Sequence, residues 1–305
     1  MSYYSLLLLF TQKKIIMNYL IAILVVCVWG TTFVSSKVLL QAGMTPAEIF
    51  LIRFIMAYIC LSIVSHKRFL AKDWKDELTF LGLGIMGGSL YFLTENMALI
   101  YSTTANVSIL VSTCPLLTAL IVSLFYKSER MTGRQTIGSI VAFIGVVLVI
   151  LNGQLVLKLN PRGDVLALTA SLTWALYSLL MKRIMGKYRA DYITRKVFGY
   201  GILTILPYFL YEPFNVSREL LSNPTIVCNL LFLGLVASTG GYLVWSWAMK
   251  RLGAVKATNC IYIQPLVTMV AGVIILSEPI TPMGIGGIII TTVGMILALR
   301  NKKQK

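Results

Sequence analysis

Long apolar runs separated by short polar or turn-rich breaks dominate the chain. A transmembrane helix needs about 20 apolar residues, and the runs have this length, so the pattern predicts membrane-spanning helices. The runs are continuous rather than alternating between apolar and polar positions, which disfavours a transmembrane β-barrel. Ten spans are predicted, over residues 18–37, 46–65, 78–99, 103–126, 135–152, 164–182, 195–212, 226–249, 256–276 and 282–299.

The composition indicates the same class. Hydrophobic residues make up 57% of the 305 residues and charged residues 12%, and the mean hydropathy is +0.82. Soluble domains average about 45–50% apolar and about a quarter charged residues, so this chain has too little polar surface for a soluble globule. An ordinary cytosolic enzyme, a disordered chain and a nucleic-acid-binding domain are excluded. The predicted fold class is an all-α membrane protein with ten transmembrane helices.

The positive charges predict the orientation of these helices. The formal net charge is +16, and the basic residues cluster in short loops between the apolar runs. With the N-terminus inside, 22 of the 27 Lys and Arg residues lie on the inner side, which is the bias that cytoplasmic loops show. We therefore expect a multi-pass protein of the cell membrane with both termini in the cytoplasm. The remaining basic residues are Lys37, Lys158, Arg162 and Arg218 on the outer side, and Arg53 within a span.

Residues 1–17 are predicted to form an N-terminal extension. Its apolar patch, 6–10, is too short to span a membrane. The patch precedes Lys13 and Lys14, whereas in a signal peptide the basic residues come before the apolar stretch. Met17, directly before the first span, is an alternative start of translation. The five cysteines lie inside apolar runs and the one histidine, His66, lies in a basic loop, so neither a disulfide framework nor a metal site is predicted.

An internal repeat relates the two halves of the chain. Pro115 and Leu116 match Pro265 and Leu266, which lie 150 residues later. The other matches are Ser128 and Glu129 with Ser277 and Glu278, Thr132 with Thr281, Gly138 with Gly287, Gly145 with Gly294, Trp29 with Trp174, Lys37 with Lys182 and Arg53 with Arg195. The predicted units are a first five-helix repeat over 18–152, a connecting loop over 153–163, a second repeat over 164–300 and a basic cytoplasmic tail over 301–305.

Because each repeat holds an odd number of spans, the second must lie inverted relative to the first. Equivalent loops agree with inversion: the loop after the fourth span carries Lys127, Arg130 and Arg134, and its partner after the ninth span carries no Lys or Arg. Inverted repeats are typical of secondary transporters, whose binding sites lie near the membrane midplane where the repeats meet. The repeat therefore predicts a carrier.

The five-plus-five pattern, the segment Trp29-Gly30-Thr31-Thr32-Phe33 and the Pro and Ser-Glu matches resemble the drug/metabolite transporter superfamily, EamA type. The resemblance covers residues 18–300. It implies ten helices with both termini inside and a central cavity lined by spans one to four and six to nine. It also implies export or exchange of small metabolites, a class that includes amino acids, nucleotides, sugars and drugs.

Pro115 and Pro265 lie near the middle of spans four and nine. A proline lacks an amide hydrogen and displaces the carbonyl group four residues earlier, here that of Val111 or Ile261. In hydrocarbon such a carbonyl group faces protein or a wet cavity. We interpret both prolines as helix breaks at the substrate cavity; kinks that serve only packing are the alternative.

Glu95 is the most informative side chain, about one turn from the outer end of span three. A carboxylate within a span costs roughly 2.5–3.5 kcal/mol on insertion scales and marks a functional site by default. We interpret Glu95 as a cavity residue that binds a proton or a substrate ammonium group, and as the candidate for proton coupling. The alternative is a carboxylate that reaches water at the helix end.

Further cavity candidates are polar or aromatic side chains in spans one, four, six and nine. Amides there bind a ligand or a neighbouring helix, and both roles remain open. Aromatic rings at mid-span form a cavity wall for a planar or cationic ligand more readily than an interfacial belt. These candidates are Trp29, Asn106, Trp174, Tyr177, Asn259, Tyr262 and Gln264.

Other residues receive structural interpretations. Arg53 is expected to extend outward or to pair with Glu48, with binding of an anionic substrate as the alternative. Glu129 and Glu278 are expected to cap the helices that follow them. Six glycines are expected to allow close helix contacts: Gly84, Gly88, Gly138, Gly145, Gly287 and Gly294.

The sequence contains no HExxH, GxSxG or GxxxxGK[ST] motif, so neither an enzyme nor an ATP-driven pump is predicted. We predict a secondary active exporter or exchanger of a small metabolite, working by alternating access without a cofactor. The alternative is a passive channel or facilitator for small polar solutes. The expected partners are the substrate, membrane lipid and protons but no nucleic acid, and a homodimer remains an open option.

Overall fold

The structure, a computed structural model, describes residues 3–65, 69–102, 104–151, 160–276 and 281–299. Within these ranges the chain is helical and contains no strand. Helices are the expected outcome for apolar runs, because a helix satisfies its backbone hydrogen-bonding groups within one segment when no water is near. The predicted all-helical class is confirmed.

The described residues form thirteen α-helices, and two of these contain a π-helical stretch. The helices are α1 (Tyr3–Gln41), α2 (Pro46–Val64), α3 (Trp74–Tyr101), α4 (Thr104–Val111), α5 (Cys114–Phe125), α6 (Gly133–Leu151), α7 (Pro161–Ile184), α8 (Ala190–Ile205), α9 (Arg218–Ser222), α10 (Pro224–Leu252), α11 (Ala254–Thr258), α12 (Gln264–Leu276) and α13 (Pro282–Leu299). The π-helical stretches are Ile85–Ser89 in α3 and Phe232–Gly240 in α10, and 3₁₀ turns cover Lys127–Glu129, Leu206–Leu210 and Asn259–Ile263.

Five of the described helices are long and apolar enough to cross a membrane: α1 from Ile15 onward, α2, α3, α7 and α10. Three shorter helices, α5, α6 and α13, are apolar over 10–17 described residues. Two predicted spans are interrupted, since α4 is separated from α5 in span four and α11 from α12 in span nine. The predicted seventh span corresponds to α8, which ends at Ile205 before a 3₁₀ turn.

One predicted boundary changes, and several predicted segments lie outside the described ranges. Helix α1 begins at Tyr3, so residues 3–17, predicted to precede the first span, continue its helix. Most of the predicted connecting loop, the tail 301–305 and the hallmark residues Ser277 and Glu278 fall outside the described residues.

The loop residue Glu129 does not cap helix α6, so that prediction is wrong. Thr132 and Gln135 cap α6 through their own side chains, with 2.9 Å between Thr132 N and Gln135 Oε1. The carboxylate of Glu129 instead accepts hydrogen bonds from Lys182 Nζ at 2.5 Å and Val255 N at 3.4 Å. Glu129 therefore joins α7 to the start of α11. Its two partners lie 53 and 126 residues away in sequence.

The two prolines interrupt their helices at equivalent positions. Helix α4 ends at Val111 and α5 begins at Cys114, directly before Pro115. Helix α12 begins at Gln264, directly before Pro265, and follows the 3₁₀ turn. The helices are thus interrupted at both prolines as predicted, whereas the role of these breaks at a substrate cavity stays a prediction.

Helices α6 and α13 pack closely through glycines. A Cβ atom at Gly138 would lie 2.3 Å from Ala298 N, one at Gly145 2.3 Å from Thr291 N, and one at Gly294 2.2 Å from Ala142 N. Residues with increasing numbers in α6 therefore contact residues with decreasing numbers in α13, so the two helices are antiparallel. The predicted role of these glycines in close helix contact is confirmed.

Replacement of Gly294 by alanine tests this contact. The added Cβ must displace the backbone of α6, and overpacking of this kind costs typically about 1–3 kcal/mol. We expect a lower melting temperature in detergent for Gly294→Ala. Gly286→Ala, in the same helix, is the matched control, because a Cβ there meets no atom within 4 Å and alanine gains about 1 kcal/mol of helix propensity. Equal melting temperatures for the two variants would contradict the packing.

Candidate functional site

A small cavity lies where helices from both halves of the chain meet. Its volume is about 30 Å³, which is room for one or two water molecules. The lining residues are Trp29, Thr32, Arg53, Tyr91, Phe92, Glu95, Val111, Cys114, Trp174, Tyr242, Ile261 and Gln264. In this conformation the cavity is therefore too small for a metabolite.

Five of the twelve residues that line the cavity are aromatic. Trp29 and Trp174 meet edge to face with 5.4 Å between ring centroids, and Tyr242 lies 5.5 Å from Trp29. Tyr91 packs 5.0 Å from Trp174. Trp245, buried behind Trp29 at 5.1 Å, extends the cluster away from the cavity. Such pairs add packing energy beyond burial alone and hold the rings in defined orientations.

The π-helical stretches supply carbonyl groups to this aromatic cluster. Trp29 Nε1 donates a hydrogen bond to Ala237 O at 3.0 Å, and the Tyr242 hydroxyl donates to Gly87 O at 2.6 Å. A π-bulge widens the helix and frees backbone groups from the regular pattern. The rings are thereby fixed to irregular backbone in α3 and α10.

Two opposite charges face the cavity without forming an ion pair within the described residues. Glu95 is 7% exposed, and its Oε1 accepts a hydrogen bond from the Tyr91 hydroxyl at 2.6 Å. Arg53 is 2% exposed; its Nε donates to Ser238 Oγ at 2.9 Å, and its guanidinium lies 4.3 Å from the Phe92 ring centroid. Buried charges are costly unless they are compensated, so both groups are candidates for a functional role at this site.

The position of Arg53 overturns the expectation that it extends outward or pairs with Glu48. Glu48 lies in a capping box with Thr45, and its other oxygen accepts a hydrogen bond from Asn215 N at 2.7 Å. Because Glu48 is engaged in this way at the start of α2, Arg53 points inward instead and crosses to Ser238 in α10.

Of the residues predicted to line a cavity, Trp29, Glu95, Trp174 and Gln264 do so. Pro115 and Pro265 are buried directly after the lining residues Cys114 and Gln264, and are not themselves part of the wall.

The remaining predicted residues lie elsewhere. Tyr177 is fully buried behind the wall, with its ring 5.0 Å from that of Trp174. Tyr262 packs against Ala142 of α6, and Asn259 is buried in the 3₁₀ turn before α12, so neither lines the cavity. Asn106 falls within α4, but its side chain is outside the described ones.

Helical periodicity and the repeat would have found most of the missed residues. Tyr91 and Phe92 precede Glu95 by four and three positions, and Thr32 follows Trp29 by three, which places each pair on one helix face. Tyr242 lies 150 positions after Phe92, and Cys114 lies 150 positions before Gln264. The described residues contain no group of three or more His, Cys, Asp or Glu side chains that could hold a metal ion.

Comparison with known proteins identifies related chains. A family model described as the EamA-like transporter family matches residues 16–151 and 161–300. An uncharacterized transporter of Archaeoglobus fulgidus is 30% identical over 294 residues, covering 94% of this chain and 99% of the relative. A probable amino-acid metabolite efflux pump of Salmonella typhimurium is 28% identical, covering 91% and 93% of the two chains. A solved crystal structure with 18% identity has a TM-score of 0.71 over 94% of this chain and 96% of that one, which shows a shared fold.

Gly241→Ala tests the aromatic cluster. A Cβ at Gly241 would lie 2.6 Å from Trp29 Nε1, so it must displace the indole from its hydrogen bond to Ala237. We expect a weaker near-ultraviolet circular dichroism signal, because the rings lose their fixed orientations, and a lower melting temperature. Gly240→Ala is the matched control, since its Cβ meets only Leu235 O at 3.7 Å. An unchanged spectrum for Gly241→Ala would contradict the described ring arrangement.

Proposed function

The chain belongs to the EamA-like transporter family, and we propose that it is a secondary active exporter or exchanger of a small metabolite that works by alternating access. Membership of the family makes it a multi-pass membrane transporter and not an enzyme. The observation that carries the proposal is a small cavity lined largely by equivalent positions of the two matched segments, with two buried side chains of opposite charge, Arg53 and Glu95, facing it.

We propose further that the two matched segments form inverted five-helix repeats. The contacts between α6 and α13 support this. The residue 149 positions after Ala142 is Thr291, and the residue 149 positions before Gly294 is Gly145. The contact of Ala142 with Gly294 thus has a mirror contact of Gly145 with Thr291, and both are present. Reciprocal contacts between antiparallel helices are what a pseudo-two-fold axis in the membrane plane produces.

The cavity lies on such an axis in our proposal. Eight of its twelve lining residues form equivalent pairs separated by 145 or 150 positions. These pairs are Trp29 with Trp174, Phe92 with Tyr242, Val111 with Ile261, and Cys114 with Gln264. A site at the interface of two such repeats can open to either face of the membrane as the repeats rock.

The charged residues break this symmetry and suggest the substrate class. Arg53, Tyr91 and Glu95 all come from the first matched segment, and Trp174 Nε1 has no hydrogen-bond partner among the described residues. A cation and an anion in an aromatic enclosure suit a small molecule with both an acidic and a basic group. The amino-acid metabolite that the Salmonella relative is named for has this chemistry. Glu95 would bind the basic group or a proton.

Ion pairs between the two segments close one end of the bundle. Three of the four ion pairs between described residues join an acid of the first segment to a lysine of the second: Glu129 with Lys182, Asp76 with Lys187, and Glu77 with Lys196. The three lysines lie within 15 residues of one another around the α7–α8 turn, and by the positive-inside bias this end is cytoplasmic in our proposal. We call these three ion pairs the seal. Alternating access requires such a seal to open and close.

The Tyr188 hydroxyl reinforces the seal. It donates to Asp76 Oδ2 at 2.9 Å and accepts from Lys72 N at 2.8 Å. Burial and the Asp76 carboxylate raise the pKa of Tyr188 above its ordinary value, which keeps the hydroxyl protonated and able to donate. The seal therefore does not depend on ionisation of this tyrosine at neutral pH.

Exchange by purified protein in proteoliposomes tests the function. Metabolites that raise the melting temperature are loaded inside, and uptake of the labelled compound is followed with and without a pH gradient. We expect saturable uptake that internal substrate accelerates. In Glu95→Gln, which loses a charge-assisted hydrogen bond, we expect about tenfold slower exchange and no response to the gradient. The control is Glu219→Gln, an exposed residue of α9.

Ohmic current in the same vesicles would instead indicate the channel alternative. If Glu95→Gln keeps the pH response of the parent protein, the proton role of Glu95 is wrong.

Labelling of Cys114 tests the seal. The other four cysteines are replaced by serine, so that the cavity thiol is the single target of a maleimide added from the proposed cytoplasmic side. We expect several-fold faster labelling in Asp76→Asn/Glu77→Gln, because two links between the segments are broken. Asp191→Asn is the control, since the pair of Asp191 with Arg189 lies within one segment. Equal labelling rates in all three proteins would contradict the seal.

A further inference from the structure

A second, larger opening lies on the flank of the bundle, between α1, the end of α2, the start of α8 and α10. Its volume is about 840 Å³. The side chains of Ile21, Leu243 and Val244 form its apolar wall. Lys250 and Arg251 form a basic rim at the end nearer the α7–α8 turn, where Lys250 contacts Tyr188, and Trp247 also lines the cleft. This cleft shares no lining residue with the central cavity, so it is a separate site.

The apolar wall and the basic rim follow each other along one helix. Leu243 and Lys250 are seven residues apart in α10, and a helix rises 1.5 Å per residue, so the rim lies about 10 Å from the wall along the axis. Trp247 stands between them, and tryptophan is enriched at the level of lipid headgroups. The cleft therefore presents a charged end and an apolar end in the order found in a phospholipid.

The charge at the rim is not balanced by the cleft itself. Arg189 is paired with Asp191 at 3.1 Å. Lys250 Nζ donates to the Tyr188 carbonyl oxygen at 3.4 Å, and the Arg251 guanidinium lies 5.7 Å from the Trp247 ring centroid. Neither Lys250 nor Arg251 belongs to an ion pair with another described residue, and both are exposed. Two cations remain to bind an anion.

We propose that this cleft binds one anionic phospholipid, with its phosphodiester held by Lys250 and Arg251 and an acyl chain lying against Ile21, Leu243 and Val244. Basic residues at a membrane surface attract anionic lipid, and the apolar wall excludes a free phosphate ester as the preferred occupant. A zwitterionic phospholipid fits the same wall but gains less from the rim, because its own cation opposes the two basic side chains.

Quenching by brominated lipids tests the site. The protein is reconstituted in phosphatidylcholine with rising fractions of phosphatidylglycerol or phosphatidylcholine that carries bromine on its acyl chains. The contribution of Trp247 is isolated by subtracting the signal of Trp247→Phe. We expect half-maximal quenching of Trp247 at a fraction of brominated phosphatidylglycerol on the order of tenfold lower than of brominated phosphatidylcholine.

The rim is tested with a matched pair of double variants. Lys250→Gln/Arg251→Gln should remove the preference for phosphatidylglycerol, and Lys127→Gln/Arg130→Gln should keep it, because these two exposed basic residues lie outside the cleft. Equal quenching by the two lipids in the parent protein, or a preference that survives at Lys250→Gln/Arg251→Gln, would overturn the proposal.

Native mass spectrometry supplies a readout that needs no variant. The proposal predicts a monomer that retains one phosphatidylglycerol. A lipid-free dimer would show that a second copy of the chain covers the cleft, and would also overturn the proposal.

Discussion

A backbone carbonyl group without a partner is costly in hydrocarbon, and this constraint organises the centre of the molecule. Pro115 and Pro265 interrupt their helices beside the cavity wall, and the π-helical stretches direct Gly87 O and Ala237 O to the Tyr242 hydroxyl and the Trp29 indole. Irregular backbone within the described spans is thus concentrated where the two matched segments meet. The aromatic cluster stabilises this backbone, and the cavity is the small space that the two together leave open.

In our proposal, two symmetrically related sets of helices surround an asymmetric set of charges. The paired lining residues, such as Trp29 and Trp174, are mostly apolar or aromatic, whereas Arg53 and Glu95 both belong to the first segment. The repeated helices provide the conformational change, since equivalent contacts exchange roles when the repeats rock. The charged side chains provide recognition of the substrate. The ion pairs at the α7–α8 turn add a second asymmetry, because every acid in the three links between the segments belongs to the first and every lysine to the second.

The sequence is sufficient to predict the helices, the proline breaks and close helix contacts at the glycines of α6 and α13, though not that these two helices contact each other, because these features depend on local periodicity and on matches at a fixed offset. It also predicted four wall residues, including Glu95. The sequence does not predict the inward position of Arg53, because its partner, Ser238, lies 185 residues away and no local pattern connects them. The same reason applies to Glu129, whose contacts with Lys182 and Val255 lie 53 and 126 residues away. The nearness of Tyr262 to Pro265 predicts a cavity position, but Tyr262 lies in the 3₁₀ turn and packs against α6.

Alternating access in this protein requires two halves that lie inverted relative to each other in the membrane. Single cysteines at Gly133 and Pro282, the equivalent first residues of α6 and α13, are the most direct probes, with all native cysteines replaced by serine. A membrane-impermeant maleimide is added to right-side-out cells and to inverted vesicles. The account predicts that Gly133→Cys reacts only in inverted vesicles and Pro282→Cys only in intact cells. Reaction of both cysteines from the same side of the membrane would contradict it.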